Sequence, residues 1–310
     1  MHFLAMIWNP SEGIDLGILN IRFYSLMFVV AFGLGWYVMK YIYLRENESL
    51  EKLDKLFLYT VLATLVGARL GHVFFYDWDY FQNHLLEILL PIKETSDGWK
   101  FTGFAGLASH GAAISIILVM WYYSKKIIQK PIFWILDRIV VPVSLGAIFV
   151  RLGNFFNSEI IGKPTSESSF LATKFIRGED NLNSYEVTNL TQIADVNQAY
   201  KAIETNPIFS ETLNAIPFRY PAQLYEAIGY VFVFAILFYL YWKTNAREKI
   251  GFLFGVFLVL LWTVRFLVEY VKESQGGFEN ALGVFSTGQW LSIPFIIAGI
   301  YFILKAKKTA

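Results

Sequence analysis

IFWILDRIVVPVSLGAIFVRLGNFFNSEIIG, Ile132 to Gly162, carries no charged residue between Ile139 and Val150 and stays apolar to Phe156 except near its rims. A helix needs about 20 apolar residues to cross the hydrocarbon core of a bilayer. Ile132–Phe156 is therefore predicted to span a membrane rather than to fill a soluble core. Where the run should simply end, Arg151, Asn154, Asn157 and Glu159 crowd into one short window. A cation, amides and a carboxylate at the rim of a greasy helix need a reason.

Working outward, the 310-residue chain is 55% hydrophobic and 18% aromatic, with only 16% charged residues. Soluble domains carry roughly 25% charged residues, so the surface chemistry of a water-soluble globule is missing. The net charge of +1 argues against nucleic acid as a partner, because such proteins gather a strong basic face. There is no cysteine, which excludes disulfides, thiolate metal sites and a cysteine nucleophile. No metal site and no cofactor is expected. The first residues, MHFLAMIWNPSEGID, have neither a basic region nor a small-residue cleavage site, so a cleaved signal peptide is not expected.

Seven spans are predicted, at Phe23–Leu44, Leu56–Tyr76, Phe104–Ser124, Ile132–Phe156, Ala222–Trp242, Gly251–Tyr270 and Gln289–Lys305. One set of short loops, with the C-terminal tail, holds Arg45, Lys52, Lys55, Lys125, Lys126, Lys130, Lys243, Arg247, Lys249, Lys305, Lys307 and Lys308. The alternate set holds only Arg22, Lys93, Lys100 and Lys272. Cytoplasmic loops carry the Lys/Arg excess, which puts the N-terminus outside and the C-terminus inside. The expected fold is an all-α integral membrane protein of seven helices in a single membrane domain. Residues 157–221 are polar and are expected to form a small head on the outer face, since such backbone cannot lie against lipid. Residues 77–103, with Trp78, Tyr80, Phe81 and Trp99, read as interfacial.

This orientation gives each intramembrane polar residue a depth. Tyr24, Arg69, His72, His110, Arg151, Asn154, Asn157, Gln223, Glu226, Arg265 and Glu269 all fall in the outer half, whereas the inner half holds only Asp137 and Arg138. A charge buried in a span costs about 2.5–3.5 kcal/mol on insertion scales, so many at one depth call for a common cause. Singly, each has an ordinary reading. His110 alone fits a hydrogen-bonded core histidine, Arg265 and Glu269 fit a helical i,i+4 pair, and Arg69 fits an ion pair with Glu226 or Glu159. The glycines Gly67, Gly71, Gly106, Gly111, Gly146 and Gly153 fit close helix packing. Together, arginines open to the outer leaflet suit an anionic lipid headgroup, because guanidinium grips phosphate bidentately. A histidine nearby supplies a proton carrier. The alternative, a transporter or flippase for an anionic lipid, needs polar residues deep in the inner half, which is nearly bare.

RLGNFFNSEIIGKP closely resembles the signature of the bacterial phosphatidylglycerol–prolipoprotein diacylglyceryl transferases. FYSLMF, GARLGHVFFY, SHGAA, YPAQLYE, RFLVEYVKE and STGQWLSIP resemble that family's other blocks, in order and over nearly the whole chain. Three positions depart from the pattern: Val150 and Ala112 stand for glycines, and Tyr220 for a histidine. The resemblance implies transfer of a diacylglyceryl group from phosphatidylglycerol to the lipobox cysteine thiol of a prolipoprotein signal peptide, releasing glycerol phosphate. It implies a bacterial inner-membrane enzyme whose site faces the periplasm. It also carries family roles onto Tyr24, His110, Arg151, Asn154, Glu159, Gly162, Arg265 and Glu269, and onto Arg69 and Gln223. On this reading Arg151 and Arg265 hold the phosphate and His110 draws the thiol proton. Glu159 and Glu269 orient the arginines, and Asn154 and Tyr24 bond headgroup oxygens, with Asn157 beside them.

Overall fold

The computed structural model describes residues 4–15, 20–90, 92–95, 98–101, 106–178, 181–273 and 283–308. It is mostly helical. The helices are α1 (Phe23–Arg45), α2 (Leu50–Tyr76), α3 (Trp78–Phe81), α4 (Leu86–Leu89), α5 (Ser109–Tyr123) and α6 (Ile132–Phe156). They continue as α7 (Ser184–Thr191), α8 (Val196–Thr205), α9 (Ser210–Ala215), α10 (Ala222–Lys243), α11 (Phe252–Val268) and α12 (Thr287–Lys305). Among the described residues all sheets are two-stranded pairs, so no barrel forms. Among the described residues, six helices are long and apolar enough to cross a membrane: α1, α2, α5 with the π turn that extends it to Ile128, α6, α10 and α12.

α11 is the exception. Its 17 residues rise only about 25 Å, less than the ~30 Å hydrocarbon core. The sequence predicts a span to Tyr270, but Glu269 and Tyr270 lie in a turn. The reason is long-range backbone pairing, with Lys163 N–H donating to the Val271 carbonyl at 2.8 Å and Gly162 bridging Lys272. α5 likewise starts late, at Ser109, after Gly106 with a φ of 77° and a 2.9 Å bond from Ala108 N–H to the Ala68 carbonyl. Residues 104 and 105, where that span is predicted to begin, lie outside the described residues.

The chain divides into two compact units, residues 1–37 with 139–310, and residues 38–138. In the 38–138 unit, α2 and α5 meet on glycine. A Cβ on Gly111 would collide with the Gly67 carbonyl oxygen, so the predicted close-packing role holds there. Charges at the other end of this unit are matched: Arg138 pairs with Glu46 at 3.1 Å, and Glu48 pairs with Lys52 at 2.9 Å and Lys130 at 3.2 Å. The 77–103 segment forms α3, α4 and an antiparallel hairpin pairing β4 (Ile92–Thr95) with β5 (Gly98–Phe101).

In the other unit, the polar stretch after α6 builds a small body around buried Ile176, Val187, Ala199, Tyr200, Ile203 and Ile216. It includes more chain than predicted. β1 (Met6–Trp8) pairs in parallel with β6 (Thr173–Phe175), and the Trp8 indole donates to the Phe155 carbonyl at 2.9 Å.

Candidate functional site

The window after Val150 is the hub of the unit formed by residues 1–37 and 139–310. α6 ends at Phe156, and the chain then turns through Ser158 and Ile160, both with left-handed φ, 54° and 59°. A β-branched residue such as Ile160 rarely adopts this φ, and strain of this kind persists where the surroundings fix it. Here they do. The fully buried Gln223 of α10 donates its side-chain amide to the Glu159 carbonyl, pinning the loop. The Glu159 carboxylate accepts from Asn154 at 3.3 Å and Asn157 at 3.1 Å.

Arg151 sits inside this network. Its Nη1 donates to Asn154 Oδ1 at 3.1 Å, and its Nε pairs with Glu226 of α10. Tyr230, one turn beyond Glu226, is buried and lies within electrostatic reach of Arg151. Tyr24, at the start of α1, lies within electrostatic reach of Asn154, Arg151 and Glu159. Its ring rests on Gly153, where a Cβ would come within 2.9 Å. Predicted Tyr24, Arg151, Asn154, Asn157, Glu159 and Gln223 thus form one connected cluster. The acid that orients Arg151, however, is Glu226 rather than Glu159.

Arg265 and Glu269 do not neutralise one another. Glu269, 8% exposed, accepts from Lys272 at 3.1 Å and Ser286 Oγ at 2.9 Å. Arg265 lies over the Trp262 ring at 5.4 Å, and its Nε is buried without a hydrogen-bond partner. Among the described residues no carboxylate pairs with it, and it lies within electrostatic reach of Tyr230. Gly162 acts through its backbone. Its N–H donates to the Tyr220 carbonyl at 2.9 Å, and its own carbonyl accepts from Arg219 at 3.2 Å. A Cβ there would lie 2.5 Å from the Tyr220 oxygen and 2.7 Å from that of Val271.

Arg69 and His110 belong to the 38–138 unit. Arg69 is buried, and its guanidinium bonds the carbonyls of Ile88 at 2.9 Å and of Glu87, with Phe81 stacked 4.6 Å away. The two acids that the sequence offers it are engaged in the other unit, Glu226 by Arg151 and Glu159 by Asn154 and Asn157. His110 is exposed in the first turn of α5.

Sequence reasoning placed Glu226 in the outer-half polar group as a partner for Arg69, not Arg151, and left Tyr230 out. The signal was present, because Gln223, Glu226 and Tyr230 are spaced i, i+3, i+7 and share one helix face. Chemically, the cluster offers one braced guanidinium, one guanidinium without a carboxylate, and neutral hydrogen-bonding groups around them. That set suits a monoanionic phosphodiester.

Residues 12–305 match the model of the prolipoprotein diacylglyceryl transferase family. The chain is 38% identical over 302 residues to the phosphatidylglycerol–prolipoprotein diacylglyceryl transferase of Bacteroides fragilis, covering 97% of this chain and 95% of that protein. The proteins of the same name from Tolumonas auensis and Chloroherpeton thalassium are each 35% identical, covering 98% of this chain and 98% and 96% of theirs.

Proposed function

Because the chain belongs to the prolipoprotein diacylglyceryl transferase family, we propose that it moves the diacylglyceryl group of phosphatidylglycerol onto the lipobox cysteine of prolipoprotein signal peptides. The observation that carries the reading is the pair of arginines, Arg151 braced by Glu226 and Asn154, and Arg265 left without a carboxylate among the described residues. The peptide thiol loses its proton, sulfur attacks the glycerol carbon bearing the phosphate, and the C–O bond breaks. A thioether forms and glycerol phosphate departs. The thiolate is the nucleophile, and His110 is the group proposed to take its proton.

The departing phosphate ends one charge more negative than the diester, so cations held in a water-poor site act mainly on this step. Arg151 and Arg265 supply that stabilisation, while Tyr24, Asn154 and Asn157 bond headgroup oxygens. Glu159 and Gln223 hold the loop that presents these amides, and Gly162 and Glu269 hold the ends of the chain beside it. Arg69 organises the interfacial segment through its carbonyls.

The bilayer arrangement proposed with this is seven spans, α11 included, in a single membrane domain of the bacterial inner membrane. The N-terminus and the 157–221 head lie on the periplasmic side and the C-terminus in the cytoplasm, as the Lys/Arg bias supports. The test uses purified protein in phosphatidylglycerol vesicles with a synthetic lipobox peptide, following peptide mass and glycerol phosphate. A diacylglyceryl mass gain that disappears in Arg151→Ala is expected. No gain with the unmodified protein would refute the reading, and headgroup transport would then be measured in the same vesicles.

A further inference from the structure

Arg265 and Glu269 stand at i and i+4, and the Glu269 N–H donates to the Arg265 carbonyl at 3.0 Å, so helical geometry puts both side chains on one face. An ion pair is the simplest outcome of that spacing, yet the carboxylate is held elsewhere. Its Oε1 accepts from Lys272 Nζ at 3.1 Å and its Oε2 from Ser286 Oγ at 2.9 Å. Ser286 is the N-cap of α12, and the same hydroxyl oxygen accepts from the Gln289 N–H at 3.2 Å. Gln289 Oε1 in turn takes the Ser286 N–H at 3.0 Å, and its Nε2 donates to the Phe266 carbonyl of α11 at 3.3 Å. One hydroxyl thus caps a helix and holds an acid. Room for that acid comes from Gly288, where a Cβ would collide with the Glu269 carboxylate. The carboxylate therefore rests on the first turn of α12, where unpaired backbone N–H groups favour negative charge.

Resting on the transferase reading above, we propose that Ser286 and Gly288 are positioning residues for the reaction: they seat Glu269 on the start of α12, so that Arg265 meets the phosphate with its charge uncancelled. Lys272 balances the seated carboxylate. Without the seat, Glu269 falls back onto Arg265 in the i,i+4 pair, and the phosphate loses one of its cations. Because the charge on the phosphate grows as it leaves, that loss weakens the transition state more than the bound diester, and kcat carries most of it.

The experiment compares steady-state transfer from phosphatidylglycerol vesicles by the unmodified protein, Ser286→Thr, Ser286→Asp and Gly288→Ala, with the unfolding midpoint of each. Threonine keeps both the cap and the donor. Aspartate caps a helix as well as serine does, but it has no proton to give and repels Glu269. Gly288→Ala leaves the cap and the hydroxyl intact and favours the helix, while its Cβ meets the free end of the Glu269 side chain, so the carboxylate moves. A hydrogen bond to a charged group is strong enough that Ser286→Asp and Gly288→Ala are each expected to lower kcat by about tenfold or more. Ser286→Thr should stay within about threefold of the unmodified protein, and all four should unfold at similar temperatures. If the aspartate destabilises the fold, Gly288→Ala decides alone. Unchanged kcat in Ser286→Asp or in Gly288→Ala overturns the proposal. Losses that track a lowered midpoint in both variants overturn it too, since a purely structural role predicts them. Inactivity of the unmodified protein instead refutes the transferase reading and this inference with it.

Discussion

Arg151→Met is the most informative single change, because it strips a buried carboxylate of its cation. The Glu226 side chain is 3% exposed and that of Arg151 13%. Breaking a buried pair by removing one partner costs about 3–5 kcal/mol, since the remaining charge loses its compensation. At about 2 °C per kcal/mol for a chain of this size, the unfolding midpoint in detergent should fall by roughly 6–10 °C. Adding Glu226→Gln removes the stranded charge, and the double variant should recover at least half of that loss. Both proteins should be inactive in diacylglyceryl transfer, because Arg151 is absent from each. The pattern separates fold from function: stability returns and activity does not. Equal midpoints for the single and double variants would refute the buried-pair reasoning, and activity in either would remove Arg151 from the headgroup site.

Gly162→Ala should abolish transfer and lower stability, because the new Cβ would lie 2.5–2.7 Å from backbone oxygens of Tyr220 and Val271, which cannot swing aside. Wild-type activity and midpoint in this variant would show that the crossing is loose. In the interfacial segment, burial raises the Glu87 pKa, but the Glu94 N–H at 2.9 Å and the Tyr80 hydroxyl at 2.8 Å prevail and hold it below the usual carboxylate range. A depressed folded value means that this tie is intact above about pH 4.3 and is lost as the pH falls through the folded value. Exchange of the Glu94 amide should accelerate there relative to its intrinsic rate, and the same pH profile in Glu87→Gln would overturn the assignment. Because the chain has no cysteine, single introduced thiols report sidedness. Ser184→Cys should react with an impermeant maleimide from the periplasmic side and Lys126→Cys only after permeabilisation, and the reverse pattern would invert the orientation.

The long apolar helices were legible because length and apolarity are local quantities: α1, α6, α10 and α12 match the predicted runs closely, and α2 begins six residues before its run. What sequence did not disclose is where tertiary pairing overrides a run. The predicted run continues to Tyr270, but α11 stops at Val268 because the backbone of Val271 and Lys272 joins that of Gly162 and Lys163. The three-residue strand Met6–Trp8 carries no signal for pairing with Thr173–Phe175, far along the chain. Short parallel pairings have no local period to read.

The site was legible at the level of depth but not of partnership. Charge placement put Arg151, Asn154, Gln223, Glu226, Arg265 and Glu269 at one end of their helices, yet which acid meets which base depends on how each helix is rotated about its axis. One turn separates Gln223, which reaches the Glu159 carbonyl, from Glu226, which reaches Arg151. A rotation of about 100° per residue decides between those outcomes, and residue types alone do not encode it. Arg69 illustrates the same limit from the other side. Its acceptors include the backbone carbonyls of Ile88, Glu87 and Gly106, which every residue possesses, so no side-chain pattern could have foretold them. Arg265 differs because its nearest acid in sequence, Glu269, is already taken by Lys272 and Ser286. An arginine kept from its obvious partner by a second cation stays available to an anion, and the lipid headgroup of the proposed reaction supplies one.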